Sequence, residues 1–229
     1  MPELPEVETV RSGLEKYVVG KRISTAQTFH SRTVKPGSIA PLTAAVGAKI
    51  QAVKRRGKFL WLELDRDFTL VAHLGMSGQM LLRTPGFAED KLTRVIIHAV
   101  SESGERVEMR FIDQRLFGSL AIDDLVPTSD GLPGGFSNGL GVTSSGESTW
   151  WRNLIPASAA HIMRDPLDGD FDEKFVLARF KKKNSGIKRV LLDQGVLSGI
   201  GNIYADESLW LAKIHYDQPA ASLSKPKAK

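Results

Sequence analysis

The sequence predicts an α+β protein, in which an N-terminal helix and a β-rich domain precede a helical domain. Three observations carry this reading. Val7, Val10, Leu14, Tyr17 and Val18 recur at helical spacing near the start. Short β-rich runs separated by Gly, Asp or Ser then follow as far as about Leu125. After Asp165, Pro166 and Leu167 the apolar spacing becomes helical again. With 41% hydrophobic and 25% charged residues, 229 residues suffice for a sizeable core.

Each element has a local cause. Pro5 and Glu6 suit the first turn of the opening helix, and Gly20 ends it. Ahead of it lies a short extended arm, Met1 to Leu4, with Pro2 and Glu3 at its tip. Strands are expected over 59–64, 68–74, 79–82, 94–100, 106–111 and 118–122. Periodicity alone leaves sandwich and barrel both open. Residues 126–158, rich in Gly, Pro and Ser over their first two thirds, read as a linker or loop between a 1–125 domain and a 159–229 domain. Phe171 to Ala178, Ile187 to Gln194 and Asn202 to Lys213 read as helices, the last two joined by the glycine-rich stretch 195–201.

The chain is basic, with net charge +5 and pI near 9.4. The distribution is more telling than the total. Lys174, Arg179, Lys181, Lys182, Lys183, Lys188 and Arg189 fall in a stretch without an acid, and Lys54, Arg55, Arg56 and Lys58 form a second cluster. Such clusters are either solvated surfaces or the footprint of a polyanion partner. There is no cysteine, so disulfides and thiolate metal sites are excluded. The five histidines show no metal-ligand spacing. The start lacks a signal-peptide pattern, and no run approaches the roughly 18 apolar residues of a membrane span. These features predict a cytoplasmic protein without a membrane partner.

The N-terminal Pro2–Glu3 pair points to chemistry. Initiator methionine is removed before small residues such as proline, which exposes a secondary amine. Chain-terminal amines have pKa values near ~7.7–8.0, so a useful fraction is neutral and nucleophilic. Such an amine can attack a sugar C1′ and form an iminium, with Glu3 moving protons. Taken alone, the pair is also what a merely processed Met-Pro start looks like.

The string Met1-Pro2-Glu3-Leu4-Pro5-Glu6-Val7-Glu8-Thr9 resembles the opening of the formamidopyrimidine-DNA glycosylase family, and Leu4 favours its purine-directed branch. Arg56-Gly57-Lys58-Phe59 resembles the turn bearing the family's catalytic lysine, which implies that role for Lys58. The 73–78 run, from His73 through Met76 to Gly78, resembles the family's methionine-inserting loop, and Asp113 to Gly118 the loop supplying Arg115 and Phe117. By residue type, Met76 and Phe117 would belong to a core. By the resemblance they fill the void left by a flipped-out base, with Arg115 facing the widowed partner. Lys188 to Gln194 with Gly199 to Glu207 resembles the family's helix–two-turn–helix. This implies phosphate contacts from Lys188 and Asn202 and a structural carboxylate at Glu207.

The resemblance implies an N-terminal β-sandwich domain followed by a helix–two-turn–helix domain. It implies a bifunctional DNA glycosylase and abasic-site lyase removing 8-oxoguanine and formamidopyrimidines, with Pro2, Glu3 and Lys58 catalytic. The partner is double-stranded damaged DNA and the expected state a monomer. Family members continue through a loop covering the flipped base and a four-cysteine zinc finger. This chain ends at Lys229 without them, so it is expected to be truncated and to hold no cofactor. The alternative is a DNA-binding remnant impaired in catalysis.

Overall fold

The computed structural model describes residues 2–88, 90–137 and 153–228. The chain divides into two compact units, Met1–Ala160 and His161–Lys229.

The first unit opens with α1 (Leu4–Val18). Leu4, Val7, Leu14 and Val18 are buried as the spacing predicts, but Tyr17 is 48% exposed. In its place Arg11 and Glu15 lie on the buried face. On a 3.6-residue turn, Tyr17 falls well to one side of the stripe that Val7, Leu14 and Val18 define.

The strands are β1 (Arg22–Thr28), β2 (Ile50–Arg56), β3 (Phe59–Leu64), β4 (Phe68–His73), β5 (Gln79–Arg83), β6 (Thr93–Val100), β7 (Arg106–Ile112), β8 (Ser119–Pro127) and β9 (Leu154–Pro156). They form two sheets, ordered β1-β6-β7-β5 and β2-β3-β4-β8-β9. One core joins them, with Ile23, Val95, Ile97, Met109 and Phe111 from the first sheet and Val53, Leu60, Leu62, Leu70 and Ile122 from the second. That is a β-sandwich, which settles what periodicity left open. Hydrophobic pattern does not signal β1 and β2, because the first is largely solvent-facing and the second carries a run of charges.

The interval expected as a linker is not one at its two ends. β9 pairs antiparallel with β8, and Phe136 forms a bridge with Arg55. Residues 138–152 lie outside the described residues. The 133–136 segment also covers the outer face of β3. A Cβ on Gly135 would come within 2.4 Å of the Trp61 ring, so only glycine lets the chain lie flat there.

Under this cover Glu63 is fully buried, and Trp61 Nε1 donates to it at 2.8 Å. Burial pushes the Glu63 carboxyl up to about 6 from 4.5, against the pull of Lys54 and the Trp61 hydrogen bond. The folded protein therefore keeps a proton that the unfolded chain has already released across this window, and stability falls as pH rises through it. Glu63→Gln keeps an acceptor for Trp61 and removes the titration. Relative to wild type, the variant is expected to gain about 2 kcal/mol between roughly pH 4 and pH 7. Urea melts at both pH values measure this; a difference that does not change with pH would refute the assignment.

The second unit packs α2 (Glu173–Phe180), α3 (Ile187–Leu191), α4 (Asn202–Leu211) and α5 (Lys225–Ala228). Val176, Phe180, Val190, Leu197, Ala205 and Leu209 lie in its core. Asp172 caps α2 by accepting the Phe175 N–H at 3.1 Å. No helix among the described residues is long and apolar enough to cross a membrane.

Candidate functional site

The chemistry of the first unit begins at its terminus. Glu3 is the N-cap of α1, only 3% exposed, and its N–H donates to Glu6 Oε2 at 3.0 Å in a reciprocal capping box. The helix start is thereby pinned, and Pro2 beside it is half-buried.

Lys58 sits in the two-residue turn of the β2–β3 hairpin, where Arg56 pairs with Phe59. Gly57 takes φ +54° at the first turn position, which two-residue hairpins give to glycine. Burial lowers the Lys58 ammonium below the ordinary lysine range, and Glu3 partly opposes this. The sandwich thus brings Glu3 within electrostatic reach of Lys58 across more than fifty residues of sequence.

His73 closes β4, pairs in register with Phe59 and packs tilted against its ring, centroids 5.0 Å apart. Its Nδ1 accepts the Gly75 N–H at 3.2 Å, so the neutral ring carries its proton on Nε2. Burial lowers the His73 pKa, and Lys35 and Lys58 lower it further. Lys35 belongs to none of the sequence motifs. Its Nζ lies 5.9 Å from the Phe59 ring centroid, and its backbone N–H is anchored to the Leu120 carbonyl at 2.9 Å. Lys35 and Lys58 are two cations near the Phe59–His73 pair, and both favour the neutral form of His73. No sequence spacing signals Lys35, since a bridge between Val34 and Leu120 brings it there.

The 74–78 and 113–118 loops lie against each other. A Cβ on Gly75, whose φ is +61°, would sit 2.5 Å from the Phe117 carbonyl and the Gly118 nitrogen. Asp113, fully buried, organises both loops. It accepts from Ser77 Oγ at 2.5 Å, from the Arg115 N–H at 3.1 Å and from the Gly118 N–H at 2.8 Å. Burial pushes its carboxyl up, but these bonds and one from the Leu116 N–H outweigh it and hold the group below the usual carboxylate range. Leu116 is held at φ +56°, a costly conformation for a leucine. On this platform Met76 is 45% exposed, Phe117 is 62% exposed and Arg115 is also exposed. Two large apolar side chains and a cation thus face solvent on two abutting, hydrogen-bonded loops. The organising role of Asp113 and Ser77 is legible only in three dimensions.

In the second unit Lys188 on α3 is ion-paired with Asp206 on α4 at 2.7 Å. Asn202 opens α4 and is exposed, and Gly199 in the preceding turn has φ +88°. Gln194 stitches that turn, accepting from the Gly199 N–H at 3.0 Å and donating to the Ile200 carbonyl at 3.2 Å. Glu207 is exposed on α4. The residues present do not fit a four-thiolate zinc site, because the chain has no cysteine. Among the described residues no three His, Asp or Glu side chains gather to replace one.

The first unit thus places a capped helix start near a partly desolvated lysine and presents Met76, Phe117 and Arg115 to solvent on a β-sandwich, and the second unit is a small helical domain. Residues 1–120 match the model of the formamidopyrimidine-DNA glycosylase N-terminal domain, and residues 162–229 that of the formamidopyrimidine-DNA glycosylase H2TH domain. A formamidopyrimidine-DNA glycosylase of Leifsonia xyli is 49% identical over 236 residues, covering 100% of this chain and 75% of its own length. One from Kineococcus radiotolerans is 43% identical, covering 100% of this chain and 73% of its own length. Among solved structures, a complex between the Lactococcus lactis Fpg and DNA containing an abasic site matches with TM-score 0.73 and 30% identity, covering 99% of this chain and 72% of that one. A structure of MutM in complex with DNA containing carbocyclic 8-oxo-G matches with TM-score 0.73 and 31% identity, covering 99% of this chain and 75% of that one. The chain belongs to the formamidopyrimidine-DNA glycosylase family, and it spans about three quarters of the length of these relatives.

Proposed function

We infer that this protein is a base-excision DNA glycosylase and abasic-site lyase acting as a monomer on oxidised purines in duplex DNA. The observation that carries the mechanism is the pairing of a pinned N-terminus with a desolvated lysine, through Glu3 and Lys58. The relatives' names and the abasic-site and carbocyclic 8-oxo-G DNA in the similar structures support the substrate class.

With Met1 removed, the neutral Pro2 amine attacks C1′ of the flipped nucleotide. The bond from C1′ to the base breaks and water protonates the departing base, while Glu3 takes the proton of the amine and returns it to O4′ as the sugar ring opens. Opening of the sugar ring leaves a cationic iminium at C1′. This acidifies C2′, so loss of a C2′ proton expels the 3′-phosphate; the subsequent δ-elimination expels the 5′-phosphate. Lys58 and the Nε2–H of His73 offer donors to the phosphodiester at the lesion, and Lys35 adds charge beside them. Met76 and Phe117 fill the emptied stack, and Arg115 faces the widowed base. Lys188 and Asn202 contact phosphates from the second unit. The Lys188–Asp206 pair is partly exposed and weak, so a phosphate displaces it readily.

Borohydride trapping tests this reading, with one duplex containing 8-oxoguanine opposite cytosine and a second containing an abasic site. A covalent protein–DNA band on both is expected. A band on the abasic duplex alone would restrict the activity to the lyase. No band on either, from a folded protein that still binds DNA, would leave a binding remnant.

A further inference from the structure

α1 is held on the sandwich in two ways. Val7, Leu14 and Val18 bury apolar surface, which is non-directional and sets no axial position. The second contact is directional. Glu8 accepts from Arg11 Nη2 at 2.8 Å and from Arg55 Nε on β2 at 2.6 Å, while Arg11 Nη1 donates to Glu15 at 2.7 Å and to the Val53 carbonyl of β2 at 3.1 Å. Arg11 and Arg55 are fully buried. Phe136 covers both guanidinium groups, 5.3 Å and 5.1 Å from its ring centroid, and exchanges two backbone hydrogen bonds with Arg55.

Stability alone does not call for this arrangement. Buried ion pairs often do no better than apolar residues of similar volume. Its place in the chain suggests another purpose. Glu8 lies five residues from Glu3, about 7.5 Å along the helix axis. Arg55 lies three residues from Lys58 in the same hairpin. A slip of α1 along β2 is therefore passed directly to the spacing between the chain terminus and Lys58. We propose that Glu8, with Arg11, Arg55 and Phe136, is a positioning clamp that sets α1 on β2 and so holds the Pro2 amine in working register with Lys58. The proposal rests on the glycosylase reading above, in which these two groups act together.

The test replaces the three charged members together with Glu15, the further partner of Arg11, as Glu8→Leu, Arg11→Met, Glu15→Met and Arg55→Met, so that no buried charge is stranded. Single-turnover borohydride trapping on the 8-oxoguanine duplex separates two readouts, the trapped fraction and the rate constant. A positioning role predicts a full trapped fraction with a rate about 10- to 100-fold lower. Glu8→Gln, which keeps acceptors but loses charge, is expected to fall between this variant and wild type, and it decides the matter if the fourfold variant does not fold. A wild-type rate in the folded variant, or a smaller trapped fraction at an unchanged rate, would overturn the clamp. If wild type itself traps no DNA, the glycosylase reading fails separately. The clamp is then judged by the NMR titration of Lys58 13Cε, whose facing groups are Glu3 and His73. A midpoint that moves in the variants supports the clamp, and one that stays put overturns it.

Discussion

A Pro2→Gly chain is expected to lose base excision by about a thousandfold or more, the scale associated with disabling a covalent nucleophile. The substitution leaves an amine at the terminus, so the loss would not come from removing nitrogen. Proline supplies a secondary amine, and its adduct at C1′ is a permanently cationic iminium. Glycine supplies a primary amine, whose imine must first capture a proton. The proline ring also locks rotation about its N–Cα bond, so the nucleophile is oriented next to the buried Glu3 cap, whereas glycine frees it. Single-turnover cleavage of an 8-oxoguanine duplex measures the effect. An abasic duplex in parallel is expected to retain part of its trapping, because a free aldehyde condenses with any amine. Undiminished excision by the variant would rule out Pro2 as the nucleophile.

The second large effect is expected at Asp113. Replacing it with alanine leaves the Ser77 hydroxyl and the N–H groups of Arg115, Leu116 and Gly118 without their shared acceptor. Loss of a buried, multiply bonded carboxylate costs about 3–5 kcal/mol. The strained φ of Leu116 relaxes once nothing holds it, and Arg115 and Phe117 lose their presentation. Excision of 8-oxoguanine should fall about 10- to 100-fold through misplacement of the wedge. Trapping at an abasic site, where no base must be extruded, should fall less. The pH dependence gives an independent check. Because the folded Asp113 pKa is depressed, its stabilisation is present above the ordinary carboxylate pKa and is lost as pH falls through the lower folded value. Asp113→Asn should therefore show a shallower acid limb than wild type; an equally steep one would remove Asp113 from the account.

Much of this architecture is legible before any coordinate. Six strands and the opening helix follow from period and punctuation, because their core-facing residues alternate or recur plainly, as in Val95, Ile97 and Ala99. β1 and β2 do not. β2 reads as a basic cluster, and only in the fold do Lys54, Arg55 and Arg56 prove buried. The same holds for Arg11 and Glu15, which a hydrophobicity pattern assigns to the solvent side of α1. Charge marks a surface only while no partner charge is in place; Arg11 and Glu15 find theirs on α1 itself, whereas Lys54 and Arg55 find theirs on other elements.

Met76 and Phe117 illustrate the converse. Their residue type argues for burial, and only their motif context argues for exposure. The exposure then follows from Gly75 pressing one loop against the other, which leaves the two side chains no interior to enter.

What the sequence determined by itself was the family and the order of helix, sandwich and helical domain. Each of these resides in residue type and local spacing, which the chain carries whether folded or not. The tertiary structure decided which groups act on one another: Glu3 on Lys58, Lys35 on His73, Asp113 on two loops, and Glu8 on Arg55. Apart from the bonds of Asp113 within its own loop, those pairings join residues from 36 to 55 positions apart. At such separations contact depends on strand register, glycine-permitted close approach and burial, and a linear pattern encodes none of these pair by pair.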